Sequence, residues 1–328
     1  MDQDKIRFSI VVAAKNEEQN LPRLFLSLKK LDYPKENYEI IFVNDQSTDK
    51  TKNVIDDFIK VTPNAKLYDS FGKKYPGKKG ALDIGISHAK NDYIMITDAD
   101  CEPGPNWLKA FSKKFTEGYD FLFGVAPYHQ SNSFVNKIAC FENLRTHILT
   151  FAFAKLGLPF SAAARSFGFT KKAFEKVGGY KNTIKTLSGD DDLLIREAIK
   201  ANLKIGVIEN ADAFVYSKTH NNWKDYLTQK ARHASTSNYL LSKQKLALGI
   251  WHFINLGLLF TFFLGFAEPL FFIPFLIKIF FDVGIVQLLQ TKFGYKFSIV
   301  ESVYLQFIYE FLLVVNYLRG TFGNINWK

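Results

Sequence analysis

The chain has 328 residues, with 42 Lys and Arg against 32 Asp and Glu, a net charge of +10. That length admits one or two domains. An apolar share of 47% excludes a disordered chain, and two cysteines exclude a disulfide scaffold and suit a reducing compartment.

FSIVVAA (8–14) is a short, β-branched apolar run, which predicts a buried strand. Asn16, Glu17 and Glu18 open a predicted helix whose apolar positions Leu21, Leu24, Phe25 and Leu28 recur at three and four. Tyr33-Pro34 breaks it. YEIIFVND (38–45) predicts a second buried strand ending in an acid. Ser47-Thr48-Asp49 reads as a helix start, with Val54, Ile55, Phe58 and Ile59 following. Residues 65–68 predict a short strand, 81–89 a helix, and DYIMITDAD (92–100) another strand ending in acids. Such alternation means an α/β domain, a parallel sheet covered by helices. Ligands of such sheets bind beyond the carboxyl ends of the strands, where Asp45, Asp98 and Asp100 lie.

The composition changes after Lys245. A mean hydropathy of −0.06 averages two unlike parts, because 15 of the 33 Phe fall in 246–328 while +9 of the net charge falls before it. Residues 246–267 carry no formal charge and, at about 1.5 Å each, can cross a bilayer core. Lys245 and Trp251 stand where interfacial anchors belong. A second apolar stretch, 269–291, is interrupted by Lys278 and Asp282, four apart and able to pair. A third, 297–318, contains Glu301 and Glu310 and could span, lie in the interface or re-enter. The expected division is therefore 1–245 and 246–328, the latter with two to three transmembrane or re-entrant helices. The apolar run at 8–14 is too short for a span and lacks a cleavage site, so the first part is expected to stay in the cytoplasm.

Four constellations carry chemistry. Gly72 to Lys79 has the G-x-x-x-x-G-K spacing of a phosphate loop, but Lys79 stands where Ser or Thr would hold magnesium, and Pro76 removes an N–H. Its lysines still make an electrostatic seat for a diphosphate, or else a solvated basic loop. Asp98-Ala99-Asp100 places two hard carboxylates at a strand end, suited to Mg2+ or Mn2+ and a nucleotide diphosphate. Gly189-Asp190-Asp191-Asp192 crowds three acids at a helix start, which suits a general base as well as a helix dipole. Gln229 and Arg232 share a helix face just before the first apolar stretch, fit for phosphate contact or for a membrane surface. The positive charge is spread over a large domain without an interleaved aromatic array, so no nucleic-acid partner is expected.

Taken in order, VVAAKNEEQNL, YPKENYEIIFVNDQSTDKT, GKKGAL, TDAD, VGGY, GDDDL and QKARH resemble the family 2 glycosyltransferases of GT-A fold, in their membrane-anchored branch, over residues 6 to about 235. The resemblance implies an inverting enzyme that moves a sugar from a nucleotide diphosphate donor, commonly a UDP-sugar, to an acceptor hydroxyl. It implies that Ala14 and Glu18 lie beside base and ribose, that Asp45 contacts the base, and that Lys78 lies near the diphosphate or donor sugar. It further implies that Asp98 contacts the donor, that Asp98 and Asp100 serve the metal, and that Asp190 is the base, with Asp191 a register-shifted alternative. Gln229 and Arg232 match the Q-x-x-R-W motif over the donor and acceptor mouth. His233 replaces that motif's Trp, and Gly189 replaces a Glu. Those departures, with few apolar stretches, point to a lipid or lipid-linked acceptor at the cell membrane. A small processive synthase and a silent nucleotide-binding protein are the alternatives.

Overall fold

The computed structural model describes residues 6–184, 186, 188–219 and 222–322. They fall into two compact units: Met1–His129 with Thr150–Lys218, and Gln130–Leu149 with Thr219–Lys328. The first helix apolar enough to cross a membrane starts at Ser242, and the second unit starts earlier still and takes in part of an upstream helix.

In the first unit, β1 (Phe8–Ala14), β2 (Tyr38–Asn44), β3 (Ala65–Asp69), β4 (Tyr93–Ile96) and a short β5 (Cys101–Pro103) alternate with α1 (Leu21–Lys29), α2 (Thr51–Lys60), α3 (Gly77–His88) and α4 (Trp107–Thr116). Next come β6 (Phe121–Gly124) and α5 (Phe134–Lys155), a helix that starts in the second unit. The unit closes with β7 (Phe167–Thr170), α6 (Lys171–Lys176), α7 (Asp192–Lys200), β8 (Ile205–Ile208) and β9 (Val215–Ser217). The main sheet has seven strands in the order β3-β2-β1-β4-β7-β6-β8, parallel except for β7. β5 and β9 pair separately.

The reason for this sheet is the continuous apolar character of its middle strands. Every residue of β2 is buried, and β1 lies against it from Phe8↔Tyr38 to Ala14↔Asn44. Leu21, Leu24, Phe25 and Leu28 of α1 and Ile55 and Phe58 of α2 bury against it, with Phe25 and Phe58 stacked at 3.9 Å. β2 and β3 lie to one side of β1 and β4 to the other. The sheet therefore reverses its winding between β1 and β4, where a crevice opens at the carboxyl ends.

α3, expected over 81–89, begins already at Gly77, and three further boundaries differ from the sequence reading. α1 starts at Leu21, because Asn16 has φ +57° and its side-chain Oδ1 accepts from the Thr48 amide at 2.8 Å. α2 starts at Thr51, whose amide donates to Asp49 Oδ1 at 2.9 Å. Residues 16–20 and 47–50 are therefore loops that hold each other. β4 stops at Ile96, leaving Asp98 and Asp100 in a turn rather than in the strand.

The second unit contains the first part of α5, then α8 (Trp223–Ala234), α9 (Ser242–Leu264), α10 (Phe272–Leu289) and α11 (Ile299–Phe322). Three stretches among the described residues are long and apolar enough to cross a membrane: Ser242–Leu264, Pro269–Phe293 and Ile299–Arg319. Phe253, Phe280 and Phe281 are 79%, 75% and 61% exposed, a surface water would not tolerate in this density. Inside, the charges are matched. Arg145 Nη2 lies 2.9 Å from Asp282 Oδ1, Lys278 pairs with Asp282, and Lys278 Nζ lies 3.1 Å from Glu310 Oε1. Gln306 Nε2 donates to both acids, at 3.0 and 2.8 Å. The pairing of Lys278 with Asp282, expected from their spacing, is present with two further partners.

Candidate active site

The carboxyl ends of β1, β2 and β4 face one crevice, and each contributes to it. Ala14 closes β1 and is fully buried, and its carbonyl accepts from the Asp45 amide at 2.7 Å. Asp45 follows β2, buried, and accepts from Ser70 Oγ at 2.6 Å and from Lys73. Glu18 accepts from the Lys50 amide at 2.8 Å, so its carboxylate ties the two loops together.

The centre of the site is Lys78. Its ammonium lies 2.6 Å from Asp98 Oδ1 and 2.7 Å from Asp190 Oδ2, and so joins the turn after β4 to the turn before α7. Burial pulls Lys78 down, but the charges of Asp190 and Asp98 outweigh it and hold the ammonium well above the ordinary lysine range. Burial likewise pushes Asp190 up, and the Lys78 ammonium reverses this and leaves the carboxyl below its usual value. Asp190 is thus held as a carboxylate, the form a base needs.

The local fold aims both side chains. Gly77, with φ +64°, opens α3. A Cβ on Gly80 would stand 2.0 Å from the Tyr75 carbonyl, so only glycine lets the basic loop close onto the helix. Lys79 points the other way. It is 1% exposed and donates to the carbonyls of Thr183 at 2.5 Å and Thr186 at 2.9 Å, which ties α3 to the segment leading to Asp190. Burial lowers its pKa to about 8. Gly189 has φ +75°, a conformation that side chains avoid, which accounts for glycine where a Glu was expected.

The three adjacent acids have three jobs. Asp190 meets Lys78. Asp191 accepts from the amides of Ala164 at 2.7 Å and Asp192 at 2.8 Å, and burial with the charges of Asp192 and Asp190 pushes it well up. Asp192 accepts from Ser161 Oγ at 2.7 Å and the Ala162 amide at 3.1 Å. Asp191 and Asp192 therefore anchor residues 161–164.

Asp98, Asp100 and Cys101 bring ligand atoms within 4.8 Å of one another, a separation that one divalent cation can bridge. Burial and the Asp98 charge raise Asp100, partly offset by Arg165. Two carboxylates crowded in this way fit a hard cation. The Cys101 thiol, pushed well up by burial, donates to Asp100 Oδ1 at 3.4 Å.

Sequence reasoning missed Glu17, Lys79 and Arg165. Glu17 is lifted to about 7 by burial and by the charges of Asp100 and Asp98, which marks it as a neighbour of the carboxylate pair. Arg165 donates to the Ala126 carbonyl at 2.6 Å and to Ser217. An adjacent Glu17-Glu18 pair gives no spacing signal to tell which member faces the site. Gln229 and Arg232 lie one turn apart on α8, in the second unit.

The chain is 32% identical over 133 residues to the uncharacterized glycosyltransferase YkcC of Bacillus subtilis (strain 168), covering 40% of this chain and 41% of that protein. It is 34% identical over 100 residues to a beta-monoglucosyldiacylglycerol synthase of Nostoc sp. (strain PCC 7120 / SAG 25.82 / UTEX 2576), 30% of this chain and 21% of that one. The match to YkcC thus spans about two fifths of that relative's length. A mannosyltransferase of Pyrobaculum calidifontis, solved with GDP-Man and Mn2+, superposes with a TM-score of 0.62, covering 98% of this chain and 89% of that one at 16% identity. That likeness shows the GT-A fold. The profile of Glycosyl transferase family 2 matches residues 9–178. With more than half of its length so matched, the chain belongs to glycosyl transferase family 2.

Proposed function

We propose that this protein is an inverting, metal-dependent glycosyltransferase that moves a sugar from a nucleotide diphosphate sugar, preferably a UDP-sugar, to a hydroxyl of a membrane lipid or lipid-linked glycan. The observation that carries the reading is the placement of Asp98 and Asp190 on one ammonium, with Asp100 beside Asp98. One carboxylate serves the donor and the other lies within a side chain's width of it, as a base must.

In this reading Ala14, Glu18 and Asp45 line the nucleoside end, with Asp45 already oriented by Ser70. Asp98 and Asp100 would hold Mg2+ or Mn2+, which when bound neutralises the departing diphosphate. Lys78 steadies the same charge. Asp190, ionised, takes the proton of the acceptor hydroxyl as that oxygen attacks the anomeric carbon. Asp191, engaged with two amides, positions rather than reacts.

The second unit supports the acceptor class. Its helices suit a multi-pass anchor in the cell membrane with the sheet domain on the cytoplasmic side. An open apolar surface groove there, lined among others by Phe134, Trp223, Phe307 and Phe311, is a face that an acyl or isoprenoid chain could lie along. The resemblance to a lipid glucosyltransferase supports the same class. Incubation with labelled nucleotide sugars and lipid vesicles tests this. A single glycolipid product supports it, and a ladder of long glycans would favour a processive synthase instead.

A further inference from the structure

We propose that Lys78 is a built-in counter-ion of the donor site that competes with the divalent cation, so that metal binds weakly alone and enters together with a nucleotide diphosphate. The inference rests on the reading above that Asp98 and Asp100 form the metal site.

Asp98 is needed by the cation, yet its Oδ1 already lies 2.6 Å from the Lys78 ammonium. The same ammonium lies 2.7 Å from Asp190, so it neutralises two carboxylates at once. The backbone that carries Lys78 is held by its neighbours. The loop before it is closed tightly by Gly80 against the Tyr75 carbonyl, and Lys79 is fixed by two carbonyls on the far side of the helix start. A dication on Asp98 would therefore meet this positive charge at close range in a partly buried setting, where screening is weak. A diphosphate changes the balance, because its negative oxygens can accept the ammonium and the metal together. Metal and nucleotide then favour each other, and linkage makes that coupling reciprocal. The arrangement guards the site in a second way. Without donor, Lys78 keeps Asp190 engaged, so the base is released to the acceptor only when the donor is in place.

The test is Mn2+ binding, measured by electron paramagnetic resonance on the full-length chain in detergent with no nucleotide. Lys78→Met should bind Mn2+ tighter than wild type by about 10- to 100-fold, the usual size of such couplings. Lys78→Arg, which keeps the charge, should stay near wild type. Adding Asp98→Asn to Lys78→Met should abolish the gain. Near-ultraviolet circular dichroism checks that each variant is folded. Lys78→Met binding no tighter than wild type, while Asp98→Asn alone still weakens Mn2+ binding, overturns the role of Lys78 and leaves the metal site standing. Asp98→Asn without effect in either background overturns both.

Discussion

Replacing Lys79 by Met should flatten the alkaline side of the stability profile. The Lys79 ammonium is buried and donates to two carbonyls. Burial lowers its pKa from 10.5 to about 8, only partly offset by Asp190 and Asp191. Below pH 8 the folded and unfolded chains both hold the proton, and the cost of burying it is constant. Between about pH 8 and 10.5 the unfolded chain holds more protons than the folded one, so stability rises with pH. A shift of roughly two and a half units at about 1.36 kcal/mol each makes that rise about 3 kcal/mol. Lys79→Met has no such proton and leaves two carbonyls without their donor. The gap between wild type and variant should therefore widen by about 3 kcal/mol from pH 8 to 10.5. Urea unfolding of the full chain in detergent, followed by tryptophan fluorescence at several pH values, to which the buried Trp107 contributes, measures it. A gap that stays constant or narrows over that range would refute the reasoning. Because Lys79 also holds the segment that delivers Asp190, the variant should lose up to about a hundredfold in kcat with a smaller change in donor KM.

Other consequences can be checked separately. Asp190→Asn should lower the transfer rate by about two to four orders of magnitude. It should bind donor nearly as well as wild type, since Lys78, Asp98 and Asp100, the groups proposed to meet the diphosphate and its metal, are unchanged; single-turnover kinetics and equilibrium binding separate the two. Gly189→Glu, which restores the residue expected there, should destabilise by about 1–2 kcal/mol because of φ +75°, read as a lower Tm. Asp282→Leu leaves Arg145 and Lys278 short of a buried partner and should cost about 3–5 kcal/mol. The double variant Lys278→Leu with Asp282→Leu should cost less than the sum of the single changes, measured as thermal stability in detergent.

The parts of the fold that could be read in advance are those where one local pattern determines the outcome. β1 and β2 are buried on both faces, so their apolar runs are continuous and unmistakable. The start of α1 was hidden because Asn16 takes its conformation from Thr48, some thirty residues away. β6, β7 and β8 have four residues each, rich in Phe, Gly and Ile, too short to show a period, and nothing local announces that β7 runs against its neighbours. In the site, the carboxylates at strand ends were legible because the chemistry needs them there. Lys78 and Lys79 look alike in the sequence, yet one meets two carboxylates and the other enters the core. Helix phase at the first turn of α3 decides between them, and a Gly-rich basic loop does not reveal that phase. Lys278 and Asp282 were readable as an i, i+4 pair, whereas Arg145 and Glu310 join them from distant helices.

The most direct test of the central claim is a turnover assay on the full-length chain in lipid vesicles, run across a panel of nucleotide sugars with and without Mn2+ or Mg2+. The account predicts that one nucleotide sugar is consumed only with metal and that its sugar appears on a lipid. It also predicts that Asp190→Asn and Asp98→Asn each remove nearly all of that turnover. Full transfer by an Asp190→Asn, Asp191→Asn double variant, or sugar transfer that ignores Asp98, would contradict it.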